Sequence, residues 1–387
     1  MISTRSARLQ ERYKQQYNEA NKIVKRMVRA DRRAFVDDLA KEAESAAARG
    51  EQGQLYRITK QVCGKYHSIV SPPIKDKQGK LLTTQAEQDA RWAEHFKEIL
   101  NRESSEEGVN ICGRETDLDI NIDLPTKEEI ISAIKKLKNN KTPGKDNLNA
   151  ELFKIDPEIA AGILEPLFRT VCTEACIPED WTKGVIIKIP KKGAHSDCNN
   201  WRGITLLSIP SKILAKISIG RISTAVNEML RKEQAGFRKG RRCIEQIFAL
   251  RNIIEQSAEW QRQLYVNFVD FEKAFDSVDR DRLWQILRAY GIPYYMVKLI
   301  RSFYKNYSCC VGGSDIWFEV KTGVRQGCVM SPLLFNLVID WVMRRMTEER
   351  HTGIRWTLFS TLEDLDFADD LALSHSSAYA MQDKTDK

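Results

Sequence analysis

"LDFADDLAL", residues 365–373, sets two adjacent aspartates, Asp369 and Asp370, in a run that is otherwise mostly apolar. Burying a carboxylate is costly unless a cation or hydrogen-bond donors meet it, and two adjacent ones repel. The flanks read as two short strands meeting at Ala368-Asp369. Taken alone, the pair also fits an exposed tight turn, where Asp is common. "QLYVNFVDF" (263–271) has the same character and reads as a buried strand, with Asp270 near its C-terminal end. Carboxylates converging from two neighbouring strands can hold hard divalent cations through their oxygens. Two such ions about 3.5–4 Å apart clamp the attacking and leaving oxygens of a phosphoryl transfer.

The rest of the chain sets the context. Its 387 residues, 42% hydrophobic and 29% charged, suit a soluble globular protein of two or three domains. No run approaches 18 consecutive apolar residues, so no membrane span is expected. The start, MISTRSARLQER, lacks the apolar core of a secretory signal. Nine cysteines at irregular spacings suggest reduced thiols and an intracellular home, cytoplasm or nucleus. The net charge of +8 is uneven: residues 1–70 carry +7 and residues 183–251 carry +11, so the remainder is −10. Clustered positive charge points to a polyanionic partner, most simply nucleic acid. For residues 1–70 alone, a solvated basic helix explains the charge equally well.

Residues 1–66 read as helical, being rich in Ala, Lys, Glu and Arg with no Pro. "SPPIKDKQGK" (71–80) breaks that pattern as a linker or hairpin edge. Trp92, Phe96 and Leu100 mark a short helix, and 101–123 reads as loop. Thr126 followed by Glu129 signals a helix start, and "NNKTPGKD" (139–146) ends that helix. "GVIIKIPKK" (184–192) is strand-like, and helical patterns resume at 210–230 and 243–259. Residues 279–304 are helical on both sides of Gly291-Ile292-Pro293, and 331–346 form a helix with Pro332 in its first turn. Strands and helices without strict alternation predict an α+β fold. Cys172 and Cys176 stand one helical turn apart, as do Cys63 and His67. Zinc needs four ligands at finger-like spacing, so both pairs read as buried or incidental.

Three stretches, "VDFEKAFDSVDRDRLW" (269–284), "GVRQGCVMSPLLFNLVI" (323–339) and "FADD" (367–370), resemble successive palm signatures of reverse transcriptases, most closely those of non-LTR, LINE-type retrotransposons. Upstream, "KNNKTPGKDNLNAELFK" (138–154), "IPKKGAHSDCNNWRGITLLSIPSKILAKI" (189–217) and "EQAGFRKGRRCIEQI" (233–247) fit the same order and spacing. The resemblance covers roughly residues 70–387. It implies a right-hand polymerase, fingers and palm, with Asp270, Asp369 and Asp370 as ligands of two Mg²⁺ ions (Mn²⁺ as a substitute) and the Phe271 carbonyl assisting. It makes Phe275 a steric gate under the sugar of the incoming nucleotide, which selects dNTPs. Arg202 would grip the triphosphate, as an arginine fork suits phosphate oxygens, with Lys191 or Lys192 adding charge. Gln326 and Gly327 would line the nucleotide and template pocket. Asp276, a helical turn beyond Asp270, reads as structural or solvated.

The basic run "RKEQAGFRKGRR" holds Arg231, Lys232, Phe237, Arg238, Lys239, Arg241 and Arg242. Positive charge interleaved with an aromatic is the usual surface for tracking a single strand, with phosphate contacts giving affinity but no sequence choice. The expected organisation is a basic helical region (1–70), a linker with a short helix (71–125), an N-terminal extension of the fingers (126–182) and fingers with palm (183–387). Relatives carry an upstream endonuclease and a downstream primer grip and thumb. Only 17 residues follow Asp370, so the expectation is a fragment with its thumb missing and doubtful activity. The predicted function is RNA-directed DNA polymerization on template RNA from a primer or target DNA. The alternatives are a catalytically inactive nucleic-acid-binding remnant and an RNA-templated RNA polymerase, against which Phe275 argues.

Overall fold

The computed structural model describes residues 7–62, 73–103, 111–347, 353–356 and 361–386. The chain divides into two compact units, residues 1–72 and 73–387. In the first, α1 (Ala7–Ala48) and α2 (Gln52–Val62) are separated by a turn at Gly50, whose φ of +69° suits glycine. The two helices bury Leu39, Ala46 and Ile58. The break lies inside the stretch expected to be helical. Cys63 and His67 lie outside the described residues.

The second unit opens with a hairpin, β1 (Ile74–Lys75) and β2 (Leu81–Leu82), within the predicted linker. Next comes α3 (Gln85–Ile99), started by a Thr84/Glu87 capping box. The predicted Thr126/Glu129 box starts α4 (Lys127–Lys135). Then follow α5 (Ala150–Ile155), α6 (Pro157–Glu174), β3 (Lys183–Pro190), β4 (Trp201–Leu206), α7 (Ile209–Asn227) and α8 (Cys243–Glu259). The chain continues through β5 (Tyr265–Asp270), α9 (Ala274–Ser277), α10 (Arg280–Ala289), α11 (Tyr294–Tyr304), β6 (Ser308–Val311) and β7 (Phe318–Glu319). After α12 (Ser331–Thr347) come β8 (Ile354–Arg355), β9 (Thr361–Leu362), β10 (Asp364–Phe367), β11 (Asp370–His375) and α13 (Ala378–Asp386). The fold class is α+β, as predicted.

Two sheets frame the site. One has the order β4-β3-β6-β7, with β3 parallel to β6 and its other pairs antiparallel. The other is antiparallel in the order β10-β11-β5. One apolar core runs from Trp92 through Ile134, Phe168 and Leu214 to Leu287, Phe303 and Phe335. It therefore joins stretches on both sides of the expected boundaries at 125/126 and 182/183.

β5 differs from its reading as a buried strand. Among the described residues it pairs only with β11, and Phe268 is 70% exposed. Alternation along a strand sends neighbouring side chains to opposite faces, and the Phe268 face is open. α13 packs across β5 and β11, tied by Asn267 Nδ2 donating to Thr385 Oγ1 at 3.0 Å and by Lys384 pairing with the Glu363 carboxylate at 2.8 Å.

Candidate active site

The β10–β11 turn brings the predicted aspartates together. Asp370 is the direct cross-strand partner of Asp270, and Leu371 pairs with Val269 behind it. Asp369 stands in the turn, and both Asp270 and Asp369 line one cleft of about 760 Å³, within the usual range for a ligand site. None of the three carboxylates forms an ion pair or hydrogen bond among the described residues. The Asp370 carboxyl is pushed above its usual range, by burial first and then by the charges of Asp369 and Asp270.

The turn is held from behind by the 231–237 loop. Ala368 has a φ of +61°, uncommon for a residue with a Cβ. Its N–H donates to Gln234 Oε1 at 2.8 Å, and Gln234 Nε2 donates back to its carbonyl at 3.2 Å. A Cβ on Gly236 would collide with the Ala368 backbone, so only glycine lets the two segments approach. Asn336 of α12 anchors the loop by donating to the Gly236 carbonyl at 2.8 Å. Sequence reasoning misses Gln234, whose only local signal is a polar residue between the charges of "RKEQAGF".

The rest of the cleft follows the sequence reading in part. Phe275 stacks on Phe335 at 4.4 Å between centroids and meets Phe237 edge-on at 6.0 Å, so an aromatic wall stands beside Asp270. Arg202, Lys191 and Phe271 line the cleft, whereas Lys192 is exposed and outside its lining. Lys273, missed from sequence, joins the basic side. Burial, helped by the charges of Arg102 and Lys191, holds its ammonium below the usual range. Gln326 and Gly327 also line the cleft. Gly327 has a φ of +105° and no room for a Cβ against the Thr205 carbonyl. Gln326 Nε2 donates to Asp276 Oδ2 at 2.8 Å, and the Gln326 carbonyl accepts from Thr205 N–H at 2.8 Å. Asp276 therefore clamps the loop that carries Gln326, and burial pushes its carboxyl up to about 6.

The basic run needs correction at two positions. The Arg231 side chain is 9% exposed and lies between Asp364 and Asp366, both fully buried under the turn. Arg238 folds back onto Asn227 and the carbonyls of Arg231 and Gln234. A guanidinium held by buried carboxylates or by the chain's own carbonyls is not offered to phosphate. Lys232, Phe237, Lys239, Arg241 and Arg242 are exposed.

Among the described residues no three His, Cys, Asp or Glu side chains close into a ready metal nest. Magnesium seldom needs one. It is commonly bound by one or two carboxylates, with water and substrate phosphates supplying the remaining ligands. Two carboxylates on one cleft without a partner among the described residues, with a third raised by burial and then by their charge, fit such a cation.

A family model for reverse transcriptase (RNA-dependent DNA polymerase) matches residues 189–387, just over half of the chain. The chain belongs to the reverse transcriptase family. The match takes in the β10-β11-β5 sheet, the turn and most of the cleft lining, and the relatives agree with the non-LTR type expected from the motifs. The chain is 31% identical over 224 residues to an uncharacterized 149 kDa protein of transposon TX1 from Xenopus laevis, covering 56% of this chain and 17% of that protein. It is 26% identical over 374 residues to a probable RNA-directed DNA polymerase from transposon BS of Drosophila melanogaster, covering 93% and 40% respectively. The RNA-directed DNA polymerase from mobile element jockey of Drosophila funebris is 26% identical over 347 residues, covering 86% and 37%. This reverse transcriptase chain thus spans well under half the length of these relatives.

Proposed function

We propose that this chain carries the catalytic centre of an RNA-directed DNA polymerase of a non-LTR retrotransposon. It would transfer nucleotidyl groups from dNTPs to a primer 3′-OH on template RNA, with primer or target DNA as the second nucleic acid. The observation that carries this reading is the convergence of Asp270 and Asp369 on one cleft, with a basic side and an aromatic wall.

Asp270 and Asp369 would hold two Mg²⁺ or Mn²⁺ ions, with Asp370 and the Phe271 carbonyl as further oxygens. Such ions, when bound, neutralise the carboxylates and stabilise charge on the attacking and leaving oxygens. Arg202, Lys191 and Lys273 bind and orient the triphosphate, since phosphoryl transfer asks mostly for positioning and charge stabilisation. Phe275, on the cleft wall beside Asp270, would act as the steric gate that turns away a ribose 2′-OH. Lys232, Lys239, Arg241 and Arg242 supply exposed charge for a nucleic-acid backbone.

Primer extension on poly(rA)/oligo(dT) with Mg²⁺ tests the proposal. Incorporation that disappears in Asp270→Asn supports it. Nucleic-acid binding without any incorporation, in a chain that also shows no effect of Mg²⁺, would favour a non-catalytic remnant.

A further inference from the structure

Beside the 323–327 loop lies a second, small cavity of about 30 Å³, lined among others by Arg325, Arg280, Tyr307, Cys309 and Asp276. Arg325 is 4% exposed, and its Nε, Nη1 and Nη2 meet no acceptor among the described residues. Its guanidinium lies 3.6 Å from the Tyr307 ring centroid and 4.9 Å from that of Tyr304. A second guanidinium stands beside it. Arg280 donates to the carbonyls of Val320, Thr322 and Gly323, at 2.7, 3.1 and 3.0 Å. Burial first, with the charge of Arg325 adding to it, pushes Arg280 down to about 10.

Among the described residues neither arginine forms an ion pair with a carboxylate of the protein. An arginine does not shed its proton in a protein, and a buried charge without a partner is strongly destabilising. The one carboxylate lining the cavity, Asp276, is engaged by Gln326 and forms no ion pair with either arginine. The remaining acidic groups nearby stay neutral, because burial pushes the Cys309 thiol up to about 11 and the Tyr307 phenol well up. The aromatic faces attract the cation, but they accept none of its in-plane N–H groups. Water would satisfy the donors and leave the charge.

We propose that this cavity binds a small inorganic anion of about chloride's size, paired with Arg325 and Arg280. A site of about 30 Å³ suits one such ion or one or two waters. The bound anion would fix the loop from behind, and Gln326 and Gly327 of that loop face the catalytic cleft. Anion binding here would stand whether or not the chain polymerises DNA.

The test uses the full 387-residue chain at constant ionic strength, replacing gluconate stepwise with chloride or bromide. The expected result is a saturable rise in Tm with either halide, lost in Arg325→Met. A crystal grown in bromide should show an anomalous peak within contact distance of the Arg325 guanidinium, which needs no variant to fold. A Tm that does not saturate with halide, an equal response in Arg325→Met, or a bromide crystal with water alone in the cavity would overturn the proposal.

Discussion

The amide of Gln234 bonds to both backbone groups of Ala368, accepting from its N–H and donating to its carbonyl. A side chain thus takes the place of a neighbouring strand at the one turn where a left-handed residue precedes Asp369. The same Oε1 accepts from Gly236 N–H at 2.7 Å, so one buried amide joins the loop to the turn. Gln234→Leu keeps the volume and leaves three buried backbone groups unpartnered, at about 1–3 kcal/mol each. Denaturant unfolding should show a drop of several kcal/mol. At temperatures where the variant is folded, primer extension should fall while RNA affinity holds. Wild-type extension in Gln234→Leu would mean that Asp369 is aimed by something else.

Asp270→Asn and Asp369→Asn should each reduce dNTP incorporation by at least about a hundredfold, the scale of removing one preorganised electrostatic interaction from a catalytic site. Stability should not fall, because no ion pair is broken and mutual repulsion is relieved. A filter-binding assay on the same preparations should return unchanged RNA affinity.

Phe275→Val tests the wall beside Asp270. Ribonucleotide kcat/KM should rise steeply, with deoxynucleotide kcat/KM changing little. Phe275 also stacks on Phe335, so the substitution should cost about 1–3 kcal/mol of stability through poorer packing. If stability falls and the ribo-to-deoxy ratio stays constant, the ring serves the core alone.

The turn and the helices were legible in the sequence because their signals are local. Apolar flanks around Asp369-Asp370, a capping Thr126 with Glu129, and Pro332 at a helix start each act within a few residues. Arg231 was not legible. Its partners Asp364 and Asp366 lie 133 and 135 residues away, and nothing within "RKEQAGFRKGRR" tells an inward guanidinium from an outward one. Phe268 was misread for a related reason. An apolar strand shows its pattern locally, whereas its place at a sheet edge depends on which strand pairs with it. The cleft was legible in its carboxylates and Phe275, and incomplete in Lys273 and Gln234, whose roles depend on what the fold sets opposite them.

The two classes of arginine in the basic run predict different phenotypes. Alanine at Lys239, Arg241 or Arg242 should lower RNA affinity and reduce the log–log salt slope by about 0.7 for each single-strand phosphate the variant no longer neutralises, with little change in Tm. Arg231→Ala should instead destabilise the fold by roughly 3–5 kcal/mol, because Asp364 and Asp366 would be left without their buried counter-charge. Equal salt slopes for wild type and Arg241→Ala would remove that residue from the nucleic-acid surface.

Asp276 gives the loop clamp a pH dependence whose sign follows from its burial. Its carboxyl is raised from the ordinary 3.8 to about 6. The folded state therefore binds the proton more tightly than the unfolded chain does, and the stability this confers is complete below about pH 4. It is lost as the pH rises through about 6, by an amount on the order of 3 kcal/mol. Asp276→Asn has no proton to lose, and its amide oxygen can still accept from Gln326. Wild type and Asp276→Asn should therefore converge in unfolding free energy near pH 4 and diverge by pH 7, with the asparagine variant the more stable. Urea unfolding at half-unit steps between pH 4 and 7 measures the difference. A gap that is constant across that range would mean that Asp276 stays ionised throughout and that Gln326 and the nearby lysines outweigh its burial.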